Sequence, residues 1–250
     1  SKSVFATEPV GRLIVRFAIP CVISLVVNAL YNIVDQIFIG WGVGYLGNGA
    51  TNVVFPITVI ALALALMIGD GCAARLSLCQ GRQDMEGARR CVGSAVTLAV
   101  LCGVALTVLF ALFREPILWS FGATENNIGY ARGYFRYIVA GIPFFVFANA
   151  LNSIIRADGS PKFAMAATVT GCIINVILDP VAIFVLHWGV EGAALATVAG
   201  QVVSALLSLF YLFRAKSFRL DWSSLRLRRE AVRKFLPLGI SSLLTQLSIV

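Results

Sequence analysis

Six long runs of apolar residues, almost free of charge, leave this chain few folds to choose from. Their approximate limits are 13–39, 52–79, 91–113, 130–156, 162–187 and 191–213 of 250 residues. Each exceeds the roughly 20 residues that a helix needs to cross a hydrocarbon core about 30 Å thick. The chain is 59% hydrophobic and 13% charged, against about 45–50% and 25% in an ordinary soluble domain. A water-soluble surface cannot be built from so few charges, whereas lipid accepts an apolar exterior. Transmembrane β-strands are about ten residues long and alternate in polarity, and these runs do neither. The fold class that follows is an all-α integral membrane protein. It has a six-helix transmembrane bundle and the start of a seventh helix near Phe235.

Charge sets the orientation. The net charge is +8, yet no basic stripe interleaved with aromatics appears, which argues against nucleic acid as a partner. The cations instead cluster in alternate loops. Arg12 and Arg16, then Arg75, Arg82, Arg89 and Arg90, then Arg156 and Lys162, then the stretch from Arg214 to Lys234 fall on one side. Only Arg114, Arg132 and Arg136 fall on the other. The positive-inside rule places the first side, with the N-terminus, in the cytoplasm of a cell-membrane protein. The first apolar run is too long for a cleavable signal peptide and no A-x-A-like site follows it. Cys21, Cys72, Cys79, Cys91, Cys102 and Cys172 lie in or beside apolar runs without a CxxC pair, so they read as small buried hydrophobes.

The polar stretch from Lys216 to Arg229 reads as a cytoplasmic linker with room for an amphipathic helix on the membrane surface. Beyond it, Phe235-Leu236-Pro237-Leu238-Gly239-Ile240-Ser241 resembles Phe17-Ala18-Ile19-Pro20-Cys21-Val22-Ile23-Ser24. Both place a Phe and a Pro at the start of an apolar run and follow with Ile-Ser. The expected organisation is an amino-terminal six-helix lobe at 1–214, a cytoplasmic linker at 215–234, and at 235–250 the truncated start of a second lobe. An even number of spans before the repeat gives both lobes the same orientation.

The chemistry must lie with groups that lipid penalises. A charge at a helix centre costs about 2.5–3.5 kcal/mol on insertion scales, and Asp35, Asp70 and Asp179 all fall inside the spans. At about 1.5 Å of rise per residue, Asp35 lies roughly 28 Å beyond Arg16. Asp179 lies roughly 26 Å beyond Lys162, and Thr197 roughly 26 Å before Arg214. These residues of the first, fifth and sixth spans share a level in the outer half of the membrane. Asn175, four residues before Asp179, shares its helix face. Pro180 removes a backbone donor and kinks the helix there. Two carboxylates with Asn and Thr oxygens suit a hard cation such as Na⁺, or carry protons instead, because neighbouring like charges need one or the other. The alternative is that each acid is satisfied separately, without transport chemistry. Asp70, between Gly69 and Gly71 near the cytoplasmic boundary, reads first as a structural carboxylate that snorkels or bonds a helix end, and second as a gating residue. Tyr134, Asn149 and Asn152 lie in the fourth span, the two Asn on one face, where buried amides either glue helices together or line a cavity. His187, beside Trp188, reads as an interface residue. No nucleophile, zinc or phosphate-loop motif is present, so an enzyme is not expected, and no cofactor beyond a coupling ion.

At these residues the sequence resembles the multidrug and toxic compound extrusion family, in its bacterial branch. The resemblance is carried by Tyr31-Asn32-Ile33-Val34-Asp35 and Phe38-Ile39-Gly40, by Ile154-Ile155-Arg156-Ala157-Asp158-Gly159, by Asn175-Val176-Ile177-Leu178-Asp179-Pro180 and by Gly189-Val190-Glu191-Gly192. It implies two six-helix lobes around a central cavity and secondary active efflux of organic cations or amphipathic drugs in exchange for Na⁺ or H⁺. It implies a cation site at Asp35, Asn175, Asp179 and Thr197, and it places Tyr134, Asn149 and Asn152 in the polar network of that lobe. Bending of the first helix near Pro20 would couple the ion to the cavity. The alternatives are a lipid-linked sugar flippase of the same superfamily, which needs a cavity rich in Arg and Lys, and a membrane-embedded enzyme.

Overall fold

The computed structural model describes residues 9–213 and 227–248, so most of the expected linker and the last two residues lie outside the described residues. The elements are α1 (Val10–Gly42), α2 (Tyr45–Gly81), α3 (Met85–Leu112), α4 (Arg114–Ser120), α5 (Ile128–Ala157), α6 (Pro161–Pro180), α7 (Gly189–Leu212), α8 (Arg229–Phe235) and α9 (Ile240–Leu247). A π-helical turn at Val181–Val185 extends α6, and a 3₁₀ turn at Leu236–Gly239 joins α8 to α9. The structure is all-helical among the described residues, and six helices are long and apolar enough to cross a membrane.

Most of these helices outrun the apolar runs that announce them. α2 begins at Tyr45 rather than near residue 52, and α3 at Met85 rather than near 91. Apolarity marks the hydrocarbon slab, while the backbone stays helical through the headgroup region until a cap stops it. Asp84 caps α3 by accepting from the Gly87 backbone N–H at 2.9 Å, and Glu86 in that first turn pairs with Arg89 and Arg90. The short α4 is not signalled by an apolar run. It is fixed by the buried Leu118 and by Glu115, which accepts from Arg132 at 2.7 and 3.0 Å and from Trp119. The Arg132 guanidinium beside it holds the Glu115 carboxyl below the usual carboxylate range.

The centre of the bundle is α2 against α5, flanked by α3 and α7, with α6 and then α1 on the outside. α1 is inverted relative to a soluble helix: Ile14, Leu25, Leu30 and Ile33 are more than half exposed, while Asp35 is 6% exposed. In lipid that is the favourable arrangement, with apolar groups outward and the carboxylate inward. The basic ends of the helices gather together. Arg12 and Arg16 face Lys162 across one groove, and Arg75 and Arg90 face Arg228 and Lys234 across another. α8 presents Arg229, Glu230, Arg233 and Lys234 outward and buries Ala231 and Phe235.

Candidate functional site: a buried carboxylate pair above a central cavity

Two glycines set the spacing of the site. A Cβ on Gly200 would lie 2.4 Å from the Gly171 carbonyl, and one on Gly171 2.8 Å from the Gly200 carbonyl. Only bare backbones allow α6 and α7 this close. One helical turn from each glycine sit Asn175 and Thr197, and the close approach lets the Asn175 amide donate to Thr197 Oγ1 at 3.0 Å. The Thr197 hydroxyl in turn donates to the Ala193 carbonyl at 3.0 Å. One further turn along α6 places Asp179, wholly buried, in side-chain contact with Asp35 of α1. Directly after it, Pro180 lacks the N–H for the next helical bond and crowds the preceding turn. The backbone answers by widening into the π turn at Val181–Val185, the kind of local bulge that such a break produces. The chain then leaves the helix at His187, whose φ is +56° and whose side chain is exposed.

Several acceptors of the site lack donors. Asp35 Oδ1, both Asp179 oxygens and Asn175 Oδ1 are buried and have no hydrogen-bond partner. Gln201 Oε1, one turn from Thr197, is likewise without one. Buried oxygens are ordinarily satisfied, and leaving several unsatisfied together is costly. A shared proton or a small cation between Asp35 and Asp179 removes that cost, since two adjacent carboxylates cannot both stay charged without one. The donor set is oxygen only, which fits H⁺ or a hard alkali cation. The structure thus brings Asp35, Asn175, Asp179 and Thr197 together from α1, α6 and α7.

The pocket at Asp35 has a volume of about 100 Å³ and is walled by Tyr31, Tyr134 and Gln36. Below it opens a larger cavity of about 380 Å³, lined by Asn28, Asn149, Asn152 and Arg156, with Asp70 at its floor. Tyr31, Thr197 and Gln201 border both spaces. The structure therefore divides the fourth-span trio. Tyr134 belongs to the upper pocket, while Asn149 and Asn152 belong to the cavity. Asn149 donates to the Phe145 carbonyl at 2.8 Å. Asn152 ties α5 to α6, donating to the Ala164 carbonyl at 3.1 Å and to Thr168 at 3.0 Å. Pro20 is buried beside the groove that α1 forms with Phe163, well along α1 from the carboxylate pair. Asp70 accepts from two serine hydroxyls, Ser153 of α5 at 2.5 Å and Ser242, in the first turn of α9, at 2.6 Å.

Several polar residues escape a sequence reading. Gln36 accepts from Asn48 at 2.9 Å and Thr51 at 3.1 Å, stitching α1 to α2 beside the pocket. Asn28 accepts from Cys172 at 3.3 Å. Uncharged amides near apolar runs carry too weak a hydropathy signal to stand out, although the absence of a favourable lipid-facing role for Asn and Gln is a clue.

The family model described as MatE matches residues 20–181. The curated relatives include a "FAD transporter" of Shewanella oneidensis, 26% identical over 234 residues, covering 88% of this chain and 52% of that protein. They also include the "Multidrug export protein MepA" of Staphylococcus aureus, 24% identical over 210 residues, covering 84% and 47%. Among solved structures, a MOP superfamily transporter from Pyrococcus furiosus superposes with a TM-score of 0.87 at 33% identity, covering 94% of this chain and 52% of that one. A crystal structure of MATE in the bent conformation gives 0.86 at 34% identity, covering 94% and 53%. The chain spans about half the length of the proteins it matches.

Proposed function

The chain belongs to the MatE family, and from that premise we propose that it forms one six-helix lobe of a secondary active efflux transporter exchanging organic cations or amphipathic drugs for Na⁺ or H⁺. Members of this family are transporters, not enzymes. The observation that carries the reading is the cluster of partnerless oxygens at Asp35, Asp179 and Asn175. Such a cluster is stable only when a cation or proton is held there, so its occupancy changes the free energy of any conformation that opens or closes it. The cavity directly below supplies the space for cargo, and the shared walls Tyr31, Thr197 and Gln201 let the state of the ion site be felt there. With the Arg- and Lys-rich ends in the cytoplasm, the carboxylate pair faces the outer half of the membrane, where an incoming ion is available.

The test reconstitutes the intact transporter in liposomes and imposes Na⁺ and H⁺ gradients separately, following a fluorescent organic cation. Export driven by at least one gradient is expected. Transport indifferent to both gradients would defeat the reading.

A flavin dinucleotide is the second cargo to include, given the similarity to the FAD transporter and the presence of Tyr31, Phe145 and Arg156 along the cavity. Among the described residues, the cavity lining carries one guanidinium, Arg156, and one carboxylate, Asp70. This lining lacks the several Arg and Lys side chains expected of a lipid-linked sugar flippase, and Arg156 is the one group on it that would meet the pyrophosphate of a flavin dinucleotide.

A further inference from the structure

The sequence Gly69-Asp70-Gly71 places three successive residues on three faces of α2. Gly69 faces α5: a Cβ there would lie 2.5 Å from the Ala150 carbonyl. Gly71 faces the segment after the linker: a Cβ there would lie 2.3 Å from the Phe235 carbonyl. That segment in turn brings Gly239 so close that a Cβ on it would lie 1.8 Å from the Met67 carbonyl. The two α2 glycines thus let backbone approach from both sides, and Asp70 sits between the two approaching segments. One of its oxygens accepts from Ser153 of α5 at 2.5 Å, the other from Ser242 of α9 at 2.6 Å. Ser153 is itself held by Arg156, whose other nitrogen reaches Cys21 of α1 at 3.5 Å. A chain of polar contacts therefore runs from α1 through α5 and α2 to α9, across the floor of the central cavity, where Asp70, Arg156, Cys21 and Gln246 all line the wall.

We infer that Asp70 is the keeper of a latch, with Ser242 as its bolt, that closes the basic end of the cavity by fastening the six-helix lobe to the segment beyond the linker. The inference rests on the proposed transporter reading, in which α9 begins the second lobe. The two bonds on Asp70 are unequal in consequence. The bond to Ser153 joins two helices of one lobe that are already packed together. The bond to Ser242 is the one a separation of lobes must break. A hydrogen bond to a carboxylate is stronger than a neutral one, and more so away from water, so this single contact is enough to bias a two-state opening. A hydroxyl–carboxylate pair also breaks without leaving a charge stranded, because Ser153 and its Arg156 neighbour still hold Asp70 when Ser242 departs.

The test measures accessibility and needs neither cargo nor ion gradient, so it stands or falls separately from the efflux reading. Cys21 lines the cavity floor and serves as the reporter, in intact protein with Cys72, Cys79, Cys91, Cys102, Cys172 and any further cysteine replaced by Ala. Its alkylation by a membrane-impermeant maleimide is followed in inside-out vesicles. Ser242→Ala is expected to raise the rate roughly tenfold, in keeping with loss of one charge-assisted bond. Ser242→Thr, which keeps the hydroxyl, is expected to restore the parent rate, and this rescue separates a latch from a folding defect. Ser153→Ala should change the rate less than threefold. A rate unchanged by Ser242→Ala, or raised equally by Ser153→Ala, overturns the latch.

Discussion

At the residue scale, the arrangement of Asp35 and Asp179 makes opposite demands on folding and on transport. Two adjacent buried carboxylates without donors are a liability to the fold, so neutralising one should not weaken it. Asp35→Asn is expected to leave the melting temperature of the detergent-solubilised protein within a few degrees of the parent. In the proposed exchanger the same change removes a charge that would hold the coupling ion, a loss of about 2–3 kcal/mol of interaction, so gradient-driven export should fall by roughly thirtyfold or more. Asp179→Asn should behave almost identically, since the two groups act as a pair. Thr197→Ala removes one neutral oxygen, worth about 1 kcal/mol, and should weaken ion affinity about fivefold in a coupling-ion titration. A collapse of folding in Asp35→Asn would show that the carboxylate serves the bundle and not the ion. These residues are legible in the sequence because lipid tolerates so few carboxylates that each one inside a span demands a reason. Gln36, Asn28 and Gln201 are not legible, because an amide beside an apolar run costs too little to mark itself.

At the scale of helices, the precision of the site depends on residues with no polar chemistry at all. Gly171 and Gly200 fix the separation of α6 and α7, and the Asn175–Thr197 bond exists only at that separation. Gly200→Ala places a methyl against the Gly171 carbonyl, which forces the helices apart at a cost of roughly 1–3 kcal/mol. The expected result is a lower melting temperature together with weaker ion binding, even though every ligand remains in the sequence. Unchanged affinity would mean that the ligands reach the ion without close packing of the two helices. Pro180 works in the same indirect way: the broken bond ladder after Asp179 produces the π turn that ends α6. Pro180 is readable as a kink from sequence, but not as a π turn, since the choice among kinked geometries depends on what packs beside it. Here Ile183 sits close enough to Gly42 that a Cβ there would lie 2.1 Å from its side chain.

For the whole molecule, the gathering of basic residues at one end of the bundle predicts its orientation. A fluorescent-protein fusion after Phe213 should glow in the cytoplasm, and an alkaline phosphatase fusion in the 121–127 loop should be active outside. Signals on the opposite sides would invert the topology and place the carboxylate pair near the cytoplasm. In the intact transporter, the segment Phe235–Val250 is expected to begin a helix that superposes on Phe17–Ile33 by rotation about the membrane normal; an inverted fit would remove the repeat. The sequence by itself determined the class of fold and the number of spans. Each of these follows from one dominant energy, the cost of moving charge or bare backbone into hydrocarbon, which acts on every residue independently of its partners. The tertiary structure alone decided that Tyr134 and Asn149 serve different spaces, and that Asp70, 83 residues from Ser153 and 172 from Ser242, fastens two segments together. Those outcomes depend on pairwise contacts of about 1 kcal/mol between residues far apart in the chain, and no local pattern in the sequence records which distant partner a buried hydroxyl will meet.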